Sequence, residues 1–128
     1  MEIIFLIGRM LYGGFFIMNG MNHLMKRGML TGYASSKGVP APGFAVVFSG
    51  LLILLGGLGI FLGVLIPWAI ASLVLFLVSV SFKMHAFWKI SDPNMKMMEM
   101  VNFTKNMALL GAALMLAAVP EPWSYSLF

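Results

Sequence analysis

The chain has 128 residues, 61% of them hydrophobic and only 9% charged, with a mean hydropathy of +0.98. Soluble domains are about 45–50% apolar and about 25% charged, so the composition excludes a soluble globular enzyme and a disordered chain. The net charge of +4 does not imply nucleic acid, because the basic residues cluster where membrane headgroups would meet them.

At about 20 residues per bilayer span, the chain is long enough for four helices and their connections. The first apolar run covers residues 3–25. It lacks the basic leader and small-residue cleavage site of a signal peptide, and Arg9 interrupts it, so it reads as a retained span. Lys26, Arg27 and Lys37 mark a polar connection over 26–42 that closes on Lys37-Gly38-Val39-Pro40-Ala41-Pro42. Proline disfavours helix just before it and is welcome in a first helical turn, so the second span is expected over 43–63. Only Val64–Ile66 precede Pro67, and so short a link makes the second and third helices antiparallel neighbours. The third span covers 67–85, with the helix extending as far as Trp88. A second connection spans 86–98 and contains Ser91-Asp92-Pro93, a helix-start signal. The fourth helix starts there, with its apolar part over 99–119, and Pro120-Glu121-Pro122 stops it. The expected fold is an all-α integral membrane four-helix bundle made of two helical hairpins, a single transmembrane domain over 1–128.

Seven basic residues fall on the side of the two long connections: Lys26, Arg27, Lys37, Lys83, Lys89, Lys96 and Lys105. The other side holds Arg9 alone. The positive-inside rule then puts both connections in the cytoplasm and both termini outside, for a multi-pass protein of the cell membrane. Basic residues near anionic headgroups gain about 1 kcal/mol each, which accounts for a pI near 9.7 and makes membrane lipids the expected partners. Trp88 on one side, and Trp68, Trp123 and Tyr125 on the other, are read as interfacial anchors. Lys83 is expected to snorkel away from His85.

A charge at the bilayer centre costs at least about 2.5 kcal/mol, so polar residues inside spans need faces and partners. At 100° per residue, Arg9, Gly13, Phe16, Gly20 and His23 share one arc of the first helix. The arc through Met10, Leu11, Gly14, Ile17, Met18, Met21 and Met25 is left for lipid. On the fourth helix Glu99, Asn102, Asn106, Leu109 and Ala113 share a face, with Lys105 beside it. Ser81 and His85 stack four apart on the third, with Trp88 next to them. Asn19, His23, Ser81, His85, Trp88, Asn102 and Asn106 are thus the expected ligand-binding set, competing with the reading that these groups only hydrogen-bond one another. Arg9 is expected to make a structural tie to Glu2 or Glu121. Glycines read as helix packing positions: Gly56, Gly57, Gly59 and Gly63 in the second helix, with Ala108, Gly111, Ala112 and Ala113 in the fourth. Cysteine is absent, which removes thiol chemistry, chain-ligated iron–sulfur clusters and thiolate zinc. No metal site is expected, and the thirteen methionines suit adaptable packing.

In order and spacing, Gly8-Arg9, Asn19-Gly20…His23, the Lys37–Pro42 segment, Ser49-Gly50, Gly56-Gly57, His85-Ala86-Phe87-Trp88 and Phe103…Lys105-Asn106 resemble the DoxX family of small four-helix membrane proteins. The resemblance implies association with membrane redox systems, including a subunit paired with a quinone-reducing thiosulfate oxidoreductase, and with assemblies handling oxidative stress. Function must still be argued from the site. The leading expectation is a quinone- or lipid-binding subunit working with a redox partner. A quinone would be its only cofactor, His23 and His85 its candidate proton donors near neutral pH, and electrons would come from outside the chain. Any catalysis would then belong to a membrane oxidoreductase complex rather than to this chain alone. The alternative is a small-solute or lipid carrier, dimerising through its glycine faces, or a scaffold, with no redox chemistry. Two histidines on different helices could also ligate haem, but Phe82 stands where a small residue would admit the macrocycle.

Overall fold

A computed structural model of the chain describes residues 1–125; the expectations placed on 126–128 lie outside the described residues. The order is α1 (Glu2–Met25), α2 (Arg27–Ser36), α3 (Pro42–Leu62), α4 (Ile66–Met84), a 3-10 turn (Phe87–Lys89) and α5 (Pro93–Ala117), with no strand among the described residues. Four of these helices, α1, α3, α4 and α5, are long and apolar enough to cross a membrane. The fold is therefore the all-α four-helix membrane bundle expected from the sequence.

The helix starts follow local chemistry. Pro42 and Pro93 each occupy the first turn of a helix, and Pro67 does so in α4. Asp92 caps α5 by accepting from the Met95 N–H at 3.3 Å, which satisfies one of the donors a helix start leaves over. The α3/α4 turn is tight: Gly63 ends α3 at φ 72° and Leu65 precedes α4 at φ 49°. Gly63, buried as a packing residue would be, also terminates α3.

The long helices pack in the order α1, α3, α4, α5, and α2 lies across α3. Glycine sets the α1/α3 distance. Gly13 lies against Gly57 and Gly20 against Gly50, each pair seven residues apart on antiparallel helices. A Cβ at Gly13 would stand 2.7 Å from the Gly57 carbonyl oxygen. Gly56 and Gly59 do the same work against Leu73 and Ala69 of α4. The expected glycine faces are therefore occupied within the chain. On α5 only Ala113 of the expected small-residue set is buried, and Gly111 has open space around it. The apolar core runs through Phe16, Ile53, Ile60, Leu73 and Leu77.

On α1 the buried residues are Arg9, Gly13, Phe16 and Gly20, while Met10, Leu11, Met18, Met21 and Met25 are exposed. Period 3.6 on one strongly two-faced helix is thus realised. Three expectations need correction. First, residues 26–42 are not merely a connection, since α2 is helical. Second, Arg9 ties not to Glu2 or Glu121 but to backbone oxygens. It donates to Ile60 O at 3.3 Å, Phe61 O at 3.2 Å and Tyr125 O at 3.3 Å, and also to Ser124 O. Ile60 and Phe61 belong to the last turn of α3, whose carbonyls lack intrahelical partners and carry the negative end of the helix dipole. A guanidinium fits that position better than a carboxylate partner would. Third, Trp123 is buried rather than interfacial. It meets Phe5 edge-to-face at 5.2 Å and lies over the Arg9 guanidinium. Trp68 and Tyr125 stay exposed.

Candidate functional site

Glu99 is the polar centre of the bundle's basic end. It is buried to 1% exposure on α5 and takes part in both ion pairs found among the described residues. Lys37 Nζ stands 2.8 Å from Oε2 and His85 Nδ1 stands 3.1 Å from Oε1. Tyr33 Oη donates to Oε2 at 2.6 Å and Asn102 Nδ2 to Oε1 at 3.0 Å. A buried carboxylate needs such company, since desolvation costs several kcal/mol unless charge and hydrogen bonds offset it. Burial, then the hydrogen bond to Glu99 and its charge, pushes the Tyr33 phenol well above its usual range, so it stays a neutral donor. Lys37 and Tyr33 fasten the α2 segment to α5. Sequence reasoning placed Glu99 on the inward face but missed it as a hub, and missed Tyr33 and Lys37 altogether. The available signal was a lone acid on a helix face otherwise free of acids.

Beside this hub lies a cavity of about 640 Å³, lined from α1, α2, α3, α4 and α5. The volume falls within the range of about 300–1,000 Å³ typical of small-molecule sites. Phe16, Leu52, Phe76 and Leu77 make its wall apolar. Phe15, Phe44 and Phe48 also line it and are exposed, so it opens towards the lipid-facing side of the helices. Between α1 and α5, contacts are made by side chains: Tyr12 Oη donates to the Leu109 carbonyl, and the Lys105 ammonium stands 5.7 Å from the Phe15 ring.

Of the residues expected from the sequence, Asn19, His23, His85, Asn102 and Asn106 line this cavity. Ser81 and Trp88 do not. Ser81 is fully buried in α4 with no hydrogen-bond partner for its hydroxyl. Trp88 is half-exposed in the 3-10 turn, in an aromatic cluster with Phe82, Phe87 and Phe103. Because α4 ends at Met84, His85 leaves the helix and turns its ring to Glu99. Lys83 and Lys105 line the cavity as well.

The hydrogen bonds fix several protons. His23 Nδ1 meets the Asn19 carbonyl at 2.8 Å; a carbonyl only accepts, so Nδ1 carries the proton and Nε2 is left to exchange one. His85 has the same arrangement with the Glu99 carboxylate. Asn19 spends its amide on Phe15 O at 2.8 Å. Asn106 differs from all of these. It is only 6% exposed, lines the cavity, and has no hydrogen-bond partner among the described residues.

These features define a polytopic helical membrane protein with a largely apolar, open cavity next to a neutralised carboxylate. The DoxX family model matches residues 4–86, and the chain belongs to the DoxX family. The matched stretch runs through α4 and ends before the 3-10 turn and α5. No curated protein and no solved structure matches the chain.

Proposed function

We propose that this DoxX-family protein binds a membrane-soluble quinone, or a lipid built on the same plan, in its cavity and works beside a redox partner in the cell membrane. In this reading its basic end is cytoplasmic. The observation that carries the reading is Asn106: its carboxamide bonds no protein group among the described residues and borders the cavity, so its donors are free for an oxygen-bearing head group.

The residues fit a quinone. The aromatic and aliphatic wall suits its ring and tail, and the two donors of Asn106 suit a carbonyl oxygen. A quinone supplies reversible two-electron, two-proton chemistry. His23 and His85, each with Nδ1 committed, keep Nε2 free to give or take a proton. Glu99 orients the His85 ring, and the hub keeps that end of the cavity closed. Electrons would be delivered from outside the chain.

Native mass spectrometry of gently purified protein, with bound small molecules released and identified, tests the occupant. Asn106→Leu tests the site. Decyl-ubiquinone affinity should fall about tenfold while the fold is retained, because the Asn106 carboxamide bonds no protein group among the described residues. Unchanged affinity would overturn the reading.

A further inference from the structure

Lys105 sits halfway along α5, well inside a helix long and apolar enough to span the membrane. Among the described residues it makes no hydrogen bond or ion pair; its ammonium meets only the Phe15 ring. The one nearby acid, Glu99, is sealed at 1% exposure and held by Lys37 and His85. No carboxylate lines the cavity among the described residues, whereas Lys83 and Lys105 both do. The cavity wall is therefore net positive. An ionisable group inside a span is costly and ordinarily has a partner or a pathway to serve, and Lys105, exposed on α5, has no ion-pair partner among the described residues. Its neighbour in sequence is Asn106, the buried carboxamide that also lacks one.

We infer that the cavity's occupant is an amphiphile with an anionic head, a carboxylate or phosphate held by the Lys105 ammonium and the Asn106 carboxamide. Its apolar tail lies against Phe16 and Phe76. This rests on the lipid form of the proposed function, in which the cavity is a ligand site, and gives that site an anionic head group in place of an uncharged quinone. A neutral head would answer Asn106 but leave the exposed Lys105 ammonium at the cavity wall without a counter-charge.

Competition binding in neutral-detergent micelles separates the possibilities. The probes are oleate and its methyl ester, which share a tail and differ in charge, and phosphatidylglycerol against phosphatidylcholine, with decyl-ubiquinone as the uncharged quinone. Oleate should bind at least tenfold more tightly than methyl oleate. Lys105→Gln should erase that gap, and Lys105→Arg should keep it. A preference for oleate over phosphatidylglycerol assigns the site to single-chain acids; the reverse assigns it to phospholipid headgroups. Equal affinities for oleate and its ester, with Lys105→Gln silent and decyl-ubiquinone still bound, would overturn the inference and leave the quinone reading standing. If no probe binds, the cavity is no ligand site and both readings fall. Circular dichroism of Lys105→Gln and Lys105→Met establishes that the variants are folded before their affinities are compared.

Discussion

Replacing adjacent glycines of α1 by alanine should move stability in opposite directions. At Gly13 the new Cβ would stand 2.7 Å from the Gly57 carbonyl oxygen and 2.9 Å from the Phe61 nitrogen. Both are backbone atoms of α3 and cannot rotate away. Relaxed carbon–oxygen contacts lie at about 3.3–3.6 Å, so the helices would have to part by about 0.6–0.9 Å. Overpacking of this kind costs about 1–3 kcal/mol. The same methyl contributes about 0.8–1.0 kcal/mol of helix propensity over glycine, which leaves a net loss of up to about 2 kcal/mol. At Gly14 nothing lies within 4 Å of the new methyl, so only the gain remains. Because the propensity gain is common to both, the two variants should differ by the overpacking cost, about 1–3 kcal/mol, a factor of about five to about 150 in the folding constant. Dodecyl sulfate titration of purified protein in mixed micelles, followed by far-ultraviolet circular dichroism, measures the difference. Equal midpoints for Gly13→Ala and Gly14→Ala would refute glycine-set packing of α1 on α3.

Arg9→Met should cost at least about 3 kcal/mol, since it strands two carbonyls at the end of α3 and two in the C-terminal segment, each worth about 1–3 kcal/mol when buried and unpaired. Arg9→Lys should recover only part of this, because an ammonium cannot fork across four acceptors; the same titration reads both. Lys37→Met should cost about 3–5 kcal/mol by leaving Glu99 without its closest cation. Combined with Glu99→Leu it should cost less than the sum, and hydrogen exchange over 27–40 should show α2 loosened in the single variant. Because the chain has no cysteine, Glu2→Cys and Ser36→Cys give clean topology markers. A membrane-impermeant maleimide should label Glu2→Cys on intact cells and Ser36→Cys only after permeabilisation; the opposite pattern would invert the orientation.

The sequence made the long elements legible wherever a local signal existed. Hydropathy marks the spans, Pro42 and Asp92-Pro93 mark helix starts, and period 3.6 marks the buried face of α1, all of which depend on neighbours a few residues away. What stayed hidden depends on distant partners. The α2 segment, RGMLTGYASS, buries only Ala34, so its pattern is too weak to declare a helix. It is held through Tyr33 and Lys37 by a carboxylate more than sixty residues away in sequence. Trp123 reads as an interfacial anchor because it follows the last span, and only the fold-back onto Arg9 and Phe5 reveals it as core. Gly59 and Gly63 have small-residue spacing, yet Gly63 is spent on a positive-φ helix end. Of the candidate site, the polar faces were visible. The difference between Asn102, which bonds Glu99, and Asn106, which bonds no protein group, was not.

Arg9, Glu99 and Lys105 have their charges met in different ways, and that contrast underlies the proposed anionic head-group site. Arg9 is satisfied by the carbonyl end of α3 and the C-terminal segment, a partner set that carries no formal charge but much aligned dipole. Glu99 is satisfied by two cationic or protonatable groups and two neutral donors, so its charge is cancelled inside the chain. These two sites lie towards opposite ends of the bundle and account for much of its stability against splaying. Lys105 lies between them in sequence register along the helices, faces an open cavity, and has neither solution. A structural role would have paired it as the other two are paired. Its exposure to the same space as Asn106 is the feature that the proposed anionic head group would answer.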